Sequence, residues 1–419
     1  MSAVAMAKYF FFSGPQSGNV NPTLAIAQGL VQQGNEVIYY LTDEYKNVLE
    51  STGATFRRYD SVMKNSFGKS QTDKQDLQVS APWINSSLVE ECEIVLPRVL
   101  GDLKAETKPD AIIYGQMALW GRMLAEILQL PAVLIRPTYA SNEHFNLLQV
   151  LHNTFYNEEQ KQERSATFAK ANKEMHDLCK RYDIKPFPVT DAMDYAEPLT
   201  LVTQPRTFQY EGDSFDGRFH FVGPCILPRP DSSHFPFERI ESKATLYISL
   251  GTAFNDKSEF YNMCFKAFGD TPWQVVQSIG NRLKLEQLDS VPKNFIVAPH
   301  VPQLDVLKRA NVFVTHGGMN SVMEGLGNGV PLVVVPQSGE QMLSAQRVEQ
   351  LGMGLALHPS DVTISKLQQA VEQISNHSSY RERARSLQQD IKSAGGYQAA
   401  VDAITTYIKG GASFAKQRY

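Results

Sequence analysis

A histidine, two glycines and, just beyond them, an asparagine, a serine and a glutamate share one short stretch, His316-Gly-Gly-Met-Asn-Ser-Val-Met-Glu324. The chemistry open to that set is anion binding. The preceding run Asn311-Val-Phe-Val-Thr315 reads as a short buried strand and residues 319–328 have helical character, so His316 to Gly318 form a strand-to-helix turn at a positive helix end. A diphosphate suits such an end. Glycines let it approach the backbone, His316 can donate to a phosphate oxygen, and Asn320 and Ser321 add donors in the first turn. Glu324, one turn beyond Ser321, can accept from ribose hydroxyls. Further on, Pro336-Gln-Ser-Gly-Glu-Gln341 sets the acid Glu340 beside the amide Gln341, a pair able to read neighbouring sugar hydroxyls in both senses. Together the two segments read as a nucleotide-sugar pocket. Taken singly, each residue also has a plainer reading: His316 as the cap of its turn, Glu324 as a solvated helix residue, Glu340 and Gln341 as an ordinary polar helix start.

Positioning these residues takes alternating strands and helices, and the chain supplies them twice. In the first half, strands are expected at residues 9–13, 36–41, 110–114, 132–135, 199–203 and 219–222. A helix is expected over 22–33, with Pro22 at its first position and Asn21 as its cap. Long polar, charge-rich helical segments over about residues 140–188 look like an insertion carrying variable substrate contacts. The proline and serine content of Leu227-Pro-Arg-Pro-Asp-Ser-Ser-His-Phe-Pro236 marks a linker. Beyond it, strands are expected at 245–249, 274–278, 295–297, 312–315 and 332–335, and a final helix at about 397–409 follows Gly395-Gly396. The fold class is therefore α/β: two facing Rossmann-like doubly wound domains, with strand C-termini on either side of one cleft. The boundaries are residues 1–226, a linker at 227–242, residues 243–395, and a C-terminal helix and tail, 396–419, packing back on the first domain.

Bulk properties agree with a globular two-domain protein. The 419 residues exceed one ordinary core, 42% are hydrophobic, and a formal charge of -4 gives no case for nucleic acid. Cys92, Cys179, Cys225 and Cys264 are scattered without metal spacing and read as buried reduced thiols, which favours a cytoplasmic protein. The first residues lack the pattern of a secretory signal, and no apolar run reaches membrane-spanning length. The expected association state is a monomer or weak dimer.

Five motifs in fixed order carry a family likeness: Gly18-Asn-Val-Asn-Pro22, Phe221-Val-Gly-Pro224, Ser249-Leu-Gly-Thr252, Val301-Pro-Gln303 and the block from His316 to Gln341. Over nearly its whole length the chain resembles the inverting, metal-independent UDP-sugar glycosyltransferases of small molecules with the GT-B fold, and within them the macrolide and flavonoid enzymes of bacterial type. The resemblance implies an acceptor-binding first domain and a nucleotide-sugar-binding second one. It implies Val301 and Gln303 on uracil and ribose, Thr252 on the phosphates with His316, Gly318, Asn320 and Ser321, Glu324 on the ribose, and Glu340 with Gln341 on the sugar. His300 stands where plant relatives place a tryptophan under the uracil, and an imidazole can also stack. Thr252 on its own would pass as a turn residue. No cofactor is implied; a UDP-sugar, with UDP-glucose foremost, is the co-substrate. No Asp-x-Asp motif or metal-spaced cluster is present, so leaving-group charge would fall to the helix end and His316 as preorganised donors.

The pattern breaks in the first half. Members of the family carry a histidine before Val-Asn-Pro, positioned to take the acceptor proton, and an aspartate that orients it; here the two positions hold Asn19 and Gly115. A missing general base typically costs about 10² to 10⁴ in rate. A phenol, with a pKa of about 10 or lower when conjugated, needs less help than an aliphatic alcohol, and Asn19 would then orient its hydroxyl. His144 or Glu143, in Tyr139-Ala-Ser-Asn-Glu-His-Phe145, is an alternative base, with a solvated loop histidine as the plainer reading. Phe67, Trp83, Met117, Trp120, Phe145 and Phe155 read either as the lining of an apolar acceptor pocket or as core, and Thr138 and Tyr139 lie where relatives touch the acceptor. The expected function is transfer of a sugar, glucose foremost, to a hydroxyl of a phenolic, flavonoid or macrolide. The alternative is a catalytically silent UDP-sugar-binding protein of the same ancestry.

Overall fold

The computed structural model describes residues 6–65, 84–227, 235–240, 243–252 and 255–410. Phe67, Trp83 and most of the expected linker lie outside the described residues. The described chain forms two compact units, one reaching Leu227 and regaining the chain at Ala394, the other ending at Ser393.

In the first unit the elements run β1 (Lys8–Phe12), α1 (Ser17–Gln32), β2 (Glu36–Leu41), α2 (Lys46–Glu50), β3 (Thr55–Arg58), α3 (Ser86–Asp102), β4 (Ala111–Gly115), α4 (Leu119–Leu128), β5 (Ala132–Arg136), α5 (Leu147–Phe155), α6 (Glu158–Arg181), α7 (Asp191–Asp194), β6 (Leu199–Val202) and β7 (Phe219–Phe221). The seven strands make one parallel sheet in the order β3-β2-β1-β4-β5-β6-β7. Its central strands are unbroken apolar runs, as burial on both faces requires. In β1 the rings of Phe11 and Phe12 stack on Tyr39 and Tyr40 of β2, with centroids 4.8 and 5.3 Å apart. The strand order reverses between β1 and β4, so the loops after these two strands share one crevice.

Helix α1 corrects one expectation. It begins at Ser17 after the extended residue Gln16, and Pro22 lies inside it. The proline is tolerated there because it removes a single backbone bond close to the helix start. Asn19 consequently sits in the first helical turn.

The second unit holds β8 (Thr245–Ser249), α8 (Ser258–Phe268), β9 (Gln274–Ser278), β10 (Phe295–Ala298), α9 (Gln303–Leu307), β11 (Val312–Thr315), α10 (Met319–Gly327), β12 (Leu332–Val334), α11 (Gly339–Gln350), β13 (Gly354–Ala356), α12 (Ile364–Asn376) and α13 (Ser378–Ala394). Its sheet, also parallel, has the order β10-β9-β8-β11-β12-β13, and the reversal falls between β8 and β11. Leu246, Ile248, Val275, Val312 and Val314 from the strands meet Phe265, Phe268, Leu367 and Val371 from α8 and α12 in one buried cluster. Helix α10 lies very close to the sheet. A Cβ on Gly325 would stand 2.9 Å from Leu332 and 3.1 Å from the ring of Phe313.

The last helix, α14 (Gly396–Lys409), belongs to the first unit. The amide of Gly396 donates to the carbonyl of Val222 at 2.7 Å. The helix then crosses α1 at Gly29, where a Cβ would lie 2.7 Å from Val401 Cγ2. All four cysteines are free and buried. Among the described residues no helix is long and apolar enough to cross a membrane.

Candidate functional site

In the second unit, Ser249 and Thr315 are paired neighbours at the ends of β8 and β11, so the turns that follow them open together at the sheet's switch point. Their contact is intimate. Gly251 has φ +75°, and a Cβ there would lie 2.5 Å from Cε1 of His316. A Cβ on Gly318 would lie 2.4 Å from Nε2 of the same ring. Two glycines, one from each turn, thus make the space the imidazole occupies. Gly317, at φ +83°, would carry a Cβ 2.6 Å from Val334 and 3.2 Å from the carbonyl of Gln341, which tucks the turn against β12 and the start of α11.

Helix α10 starts from Gly318, which offers no side-chain cap, so the first-turn N–H groups are not covered by a capping side chain. Asn320 and Ser321 are half-buried in that turn. Desolvation lowers the pKa of His316 from its ordinary 6.5 to about 4, so the imidazole is neutral in the ligand-free fold. Its buried Nδ1 has no hydrogen-bond partner among the described residues. His316 therefore offers a directed N–H rather than a charge, and the positive field in this turn comes from the helix end.

Beside this turn three side chains form a hydrogen-bonded series. The Tyr247 hydroxyl donates to Gln303 Oε1 at 2.8 Å, and Gln303 Nε2 donates to Glu324 Oε2 at 2.5 Å. Glu324 is only 4% exposed, so it is not the solvated helix residue of the plainer reading. Val301 is half-buried and His300 exposed just ahead of α9, while Thr252 is exposed in the turn after β8.

The sugar-side pair is less symmetrical than expected. Glu340 and Gln341 are half-buried in the first turn of α11. The oxygen Gln341 Oε1 already accepts from the backbone N–H of Gln337 at 2.7 Å. Its N–H groups are then the part of the amide that can meet a ligand, so reading in both senses rests on Glu340 for acceptance.

In the first unit the switch point gathers a different set. Asn19 Nδ2 donates to Gln16 Oε1 at 2.8 Å. A Cβ on Gly14 would lie 2.8 Å from that oxygen, 3.1 Å from Met117 Cβ and 3.3 Å from Asn19 Nδ2. Gly14, Gln16, Asn19 and Met117 thus stand together, and none of the four titrates. Gly115 faces Ser13, whose Oγ would be 3.4 Å from a Cβ there, an ordinary contact that leaves room for a side chain. Gln16 was not singled out in the sequence; its place three residues before Asn19 is the signal that could have found it.

The remaining acceptor candidates are buried side chains. Met117, Trp120, Thr138, Tyr139 and Phe145 are 2%, 0%, 3%, 0% and 7% exposed. Trp120 meets Tyr59 edge-on, with centroids 6.1 Å apart. Tyr139 stacks on Phe208, and Phe145 on Tyr210, at 6.1 and 5.3 Å. Trp120 and Tyr139 are packed against aromatic rings, and Met117 stands beside the turn that holds Asn19. Phe155 is half-buried at the end of α5. His144 lies as its plainer reading has it, in a solvated loop: its side chain is 58% exposed and stands 3.3 Å from the exposed Glu143 carboxylate. The loop owes its shape to Asn142, whose Oδ1 accepts from the amides of His144 and Phe145 and whose Nδ2 donates to Ser214 Oγ.

Comparison with known proteins gives a consistent set of likenesses. The sequence model of the UDP-glucoronosyl and UDP-glucosyl transferases matches residues 228–392. The chain is 40% identical over 401 residues to the NDP-glycosyltransferase YjiC of Bacillus licheniformis, across 95% of this chain and 96% of that protein. It is 32% identical to the demethyllactenocin mycarosyltransferase of Streptomyces fradiae, across 95% of this chain and 86% of that one. Among solved structures, the calicheamicin glycosyltransferase CalG4 matches with a TM-score of 0.80 at 30% identity, covering 98% of this chain and all of that one.

Proposed function

The chain belongs to the family of UDP-glucoronosyl and UDP-glucosyl transferases, glycosyltransferases of the GT-B type that act on small molecules, and from that premise we propose a narrower activity. It moves a sugar, glucose foremost, from a UDP-sugar to an oxygen of a hydrophobic acceptor, with inversion at the anomeric carbon and without a metal. The observation that carries this reading is the His316 ring held between Gly251 and Gly318 at the N-terminus of α10. A diphosphate seated there meets backbone N–H groups and the imidazole N–H, donors already in place for the charge that develops as the bond from the anomeric carbon to the phosphate oxygen breaks. Gln303 and Glu324 hold the ribose, Val301 and His300 the uracil, Thr252, Asn320 and Ser321 the phosphates, and Glu340 with Gln341 the sugar.

Acceptor activation follows from Asn19. An amide cannot take a proton, and its partner in the fold is another amide, Gln16. The acceptor oxygen therefore attacks as an anion formed in water, and Asn19 orients it. Phenols and other acidic hydroxyls of phenolic or flavonoid type are the preferred substrates. The four free buried cysteines support a cytoplasmic setting for this chemistry.

The test is product formation from UDP-glucose with phenols of graded acidity and one aliphatic alcohol, across pH, with products identified by mass and anomeric configuration. Rates that rise with pH along each phenol's own titration, giving the inverted glycoside, support the reading. A rate that follows one enzyme pKa whatever the acceptor, or a retained configuration, overturns it. The absence of any titrating side chain among Gly14, Gln16, Asn19 and Met117 also favours a second reading, a UDP-sugar-binding protein without turnover. Tight UDP-glucose binding with no product from any acceptor at any pH would select it.

A further inference from the structure

Tyr247 lies on β8, and its position in a strand gives no hint of a role in ligand choice. It is 1% exposed, and its ring stacks on Phe313 of β11 at 4.6 Å with 15° between the planes. Its hydroxyl is directed at Gln303. A tyrosine hydroxyl has one proton, and here it goes to Gln303 Oε1, which fixes the side-chain amide so that Nε2, the donor end, faces Glu324. With the amide reversed, two acceptor oxygens would oppose each other at that contact.

Resting on the proposed UDP-sugar site, we propose that Tyr247 is a positioning residue whose hydrogen bond through Gln303 holds the Glu324 carboxylate in register with the ribose 2′-hydroxyl, and so makes the protein prefer ribonucleotide over 2′-deoxyribonucleotide donors. The physical reason is directional. A carboxylate anchored through one oxygen by a fixed amide presents its acceptor directions at a set angle, and hydrogen bonds to charged groups weaken steeply as that angle is lost. Backbone geometry reinforces the effect, because Gly325 seats α10 on Phe313, the same ring that carries Tyr247. The strand, the stacked pair, the amide and the carboxylate form one connected support.

The test compares UDP with 2′-deoxyuridine diphosphate, two probes that share base and diphosphate and differ by one hydroxyl. Calorimetry gives their dissociation constants for the intact protein and for Tyr247→Phe, Gln303→Ala and the double variant, with thermal melting on each. The intact protein is expected to favour UDP by about tenfold or more, as a hydrogen bond to a charged group allows. In Tyr247→Phe, which keeps the stacked ring, that preference falls to about threefold or less through weaker UDP binding, while the deoxy probe binds as before. The double variant discriminates no less than Gln303→Ala alone, because the two residues act in series. Equal weakening of both probes in Tyr247→Phe, or an unchanged ratio, overturns the proposal. A Tyr247→Phe protein that fails to melt cooperatively moves the decision to Gln303→Ala, where retained discrimination overturns it. An intact protein that binds UDP without discriminating rejects this inference alone; one that binds neither probe rejects the donor site itself.

Discussion

The imidazole of His316 stands where a side chain on Gly251 would have to go, with only 2.5 Å between its Cε1 and the position of that missing Cβ. Two motifs separated by more than a seventh of the chain thus share one small volume, and the glycine of one is explained by the ring of the other. Replacing Gly251 with alanine is expected to displace the ring and strain a backbone at φ +75°. UDP affinity measured by calorimetry should fall at least tenfold, while the melting temperature drops by only a few degrees. Unchanged affinity would mean that the ring does not meet the nucleotide.

Burial of His316 also makes a prediction about acid. Its pKa in the fold is about 4, against 6.5 for an ordinary histidine. Above pH 6.5 the ring is neutral in both folded and unfolded chains and its contribution is constant. As pH falls from 6.5 to 4 the unfolded chain takes up the proton first, so stability is lost across that window, by up to about 3 kcal/mol. The residue retains some exposure, which makes that figure an upper bound. Urea unfolding at graded pH should show the loss in the intact protein and a shallower slope in His316→Gln.

Restoring the acid–base pair should extend the range of acceptors. Asn19→His with Gly115→Asp is expected to raise transfer to an aliphatic alcohol by about 10² to 10⁴, the usual worth of a general base. Space exists for the second change, since a Cβ at Gly115 meets Ser13 Oγ at 3.4 Å. Rates with the most acidic phenol should change little, and the double variant should show a new enzyme pKa in its pH profile. No gain with any alcohol would count against Asn19 as the acceptor-side position.

The Gln303 contact sets a sharp expectation for its own substitution. Gln303→Glu places a second carboxylate where Nε2 now donates to Glu324 Oε2 at 2.5 Å. Repulsion across that gap should abolish measurable UDP binding near neutral pH, with partial recovery at lower pH as one of the two acids takes up a proton. Calorimetry at two pH values decides it.

The helix crossing at Gly29 can be tested by bulk alone. Gly29→Val puts methyl groups into a space already within 2.7 Å of Val401, and overpacking of this kind typically costs about 1–3 kcal/mol. The expected result is a lower denaturation midpoint with UDP affinity unchanged, since the residues proposed to hold the donor lie in the other unit.

Legibility in the sequence followed burial and motif strength. The strands Glu36–Leu41, Thr245–Ser249, Gln274–Ser278 and Val312–Thr315 coincide with expectation because each holds adjacent β-branched or aromatic residues between clear ends. Strand β3, Thr-Phe-Arg-Arg, escaped because it is a polar edge strand. Strand β13 escaped because it opens on Gly354, a residue required by a backbone approach that would put a Cβ 2.0 Å from the carbonyl of Leu332. The start of α1 was misjudged because proline usually marks a first turn, and here the helix carries it further in. Tyr247 fell unremarked within an expected strand, and its hydroxyl bond to Gln303 depends on a residue distant in sequence. The neutrality of His316 was also out of reach, since desolvation depends on residues distant in sequence.

One further consequence belongs to α14. Its seat on α1, marked by the absent side chain of Gly29, is formed by residues made after the whole of the second unit. While the ribosome is still at work, the first unit must carry an open strip along α1, and the second unit has its full sequence before the first has all of its own. Completion of the first unit therefore waits on synthesis of the second, and a nascent chain stalled before Gly396 would expose that strip to whatever binds apolar surface in the cell.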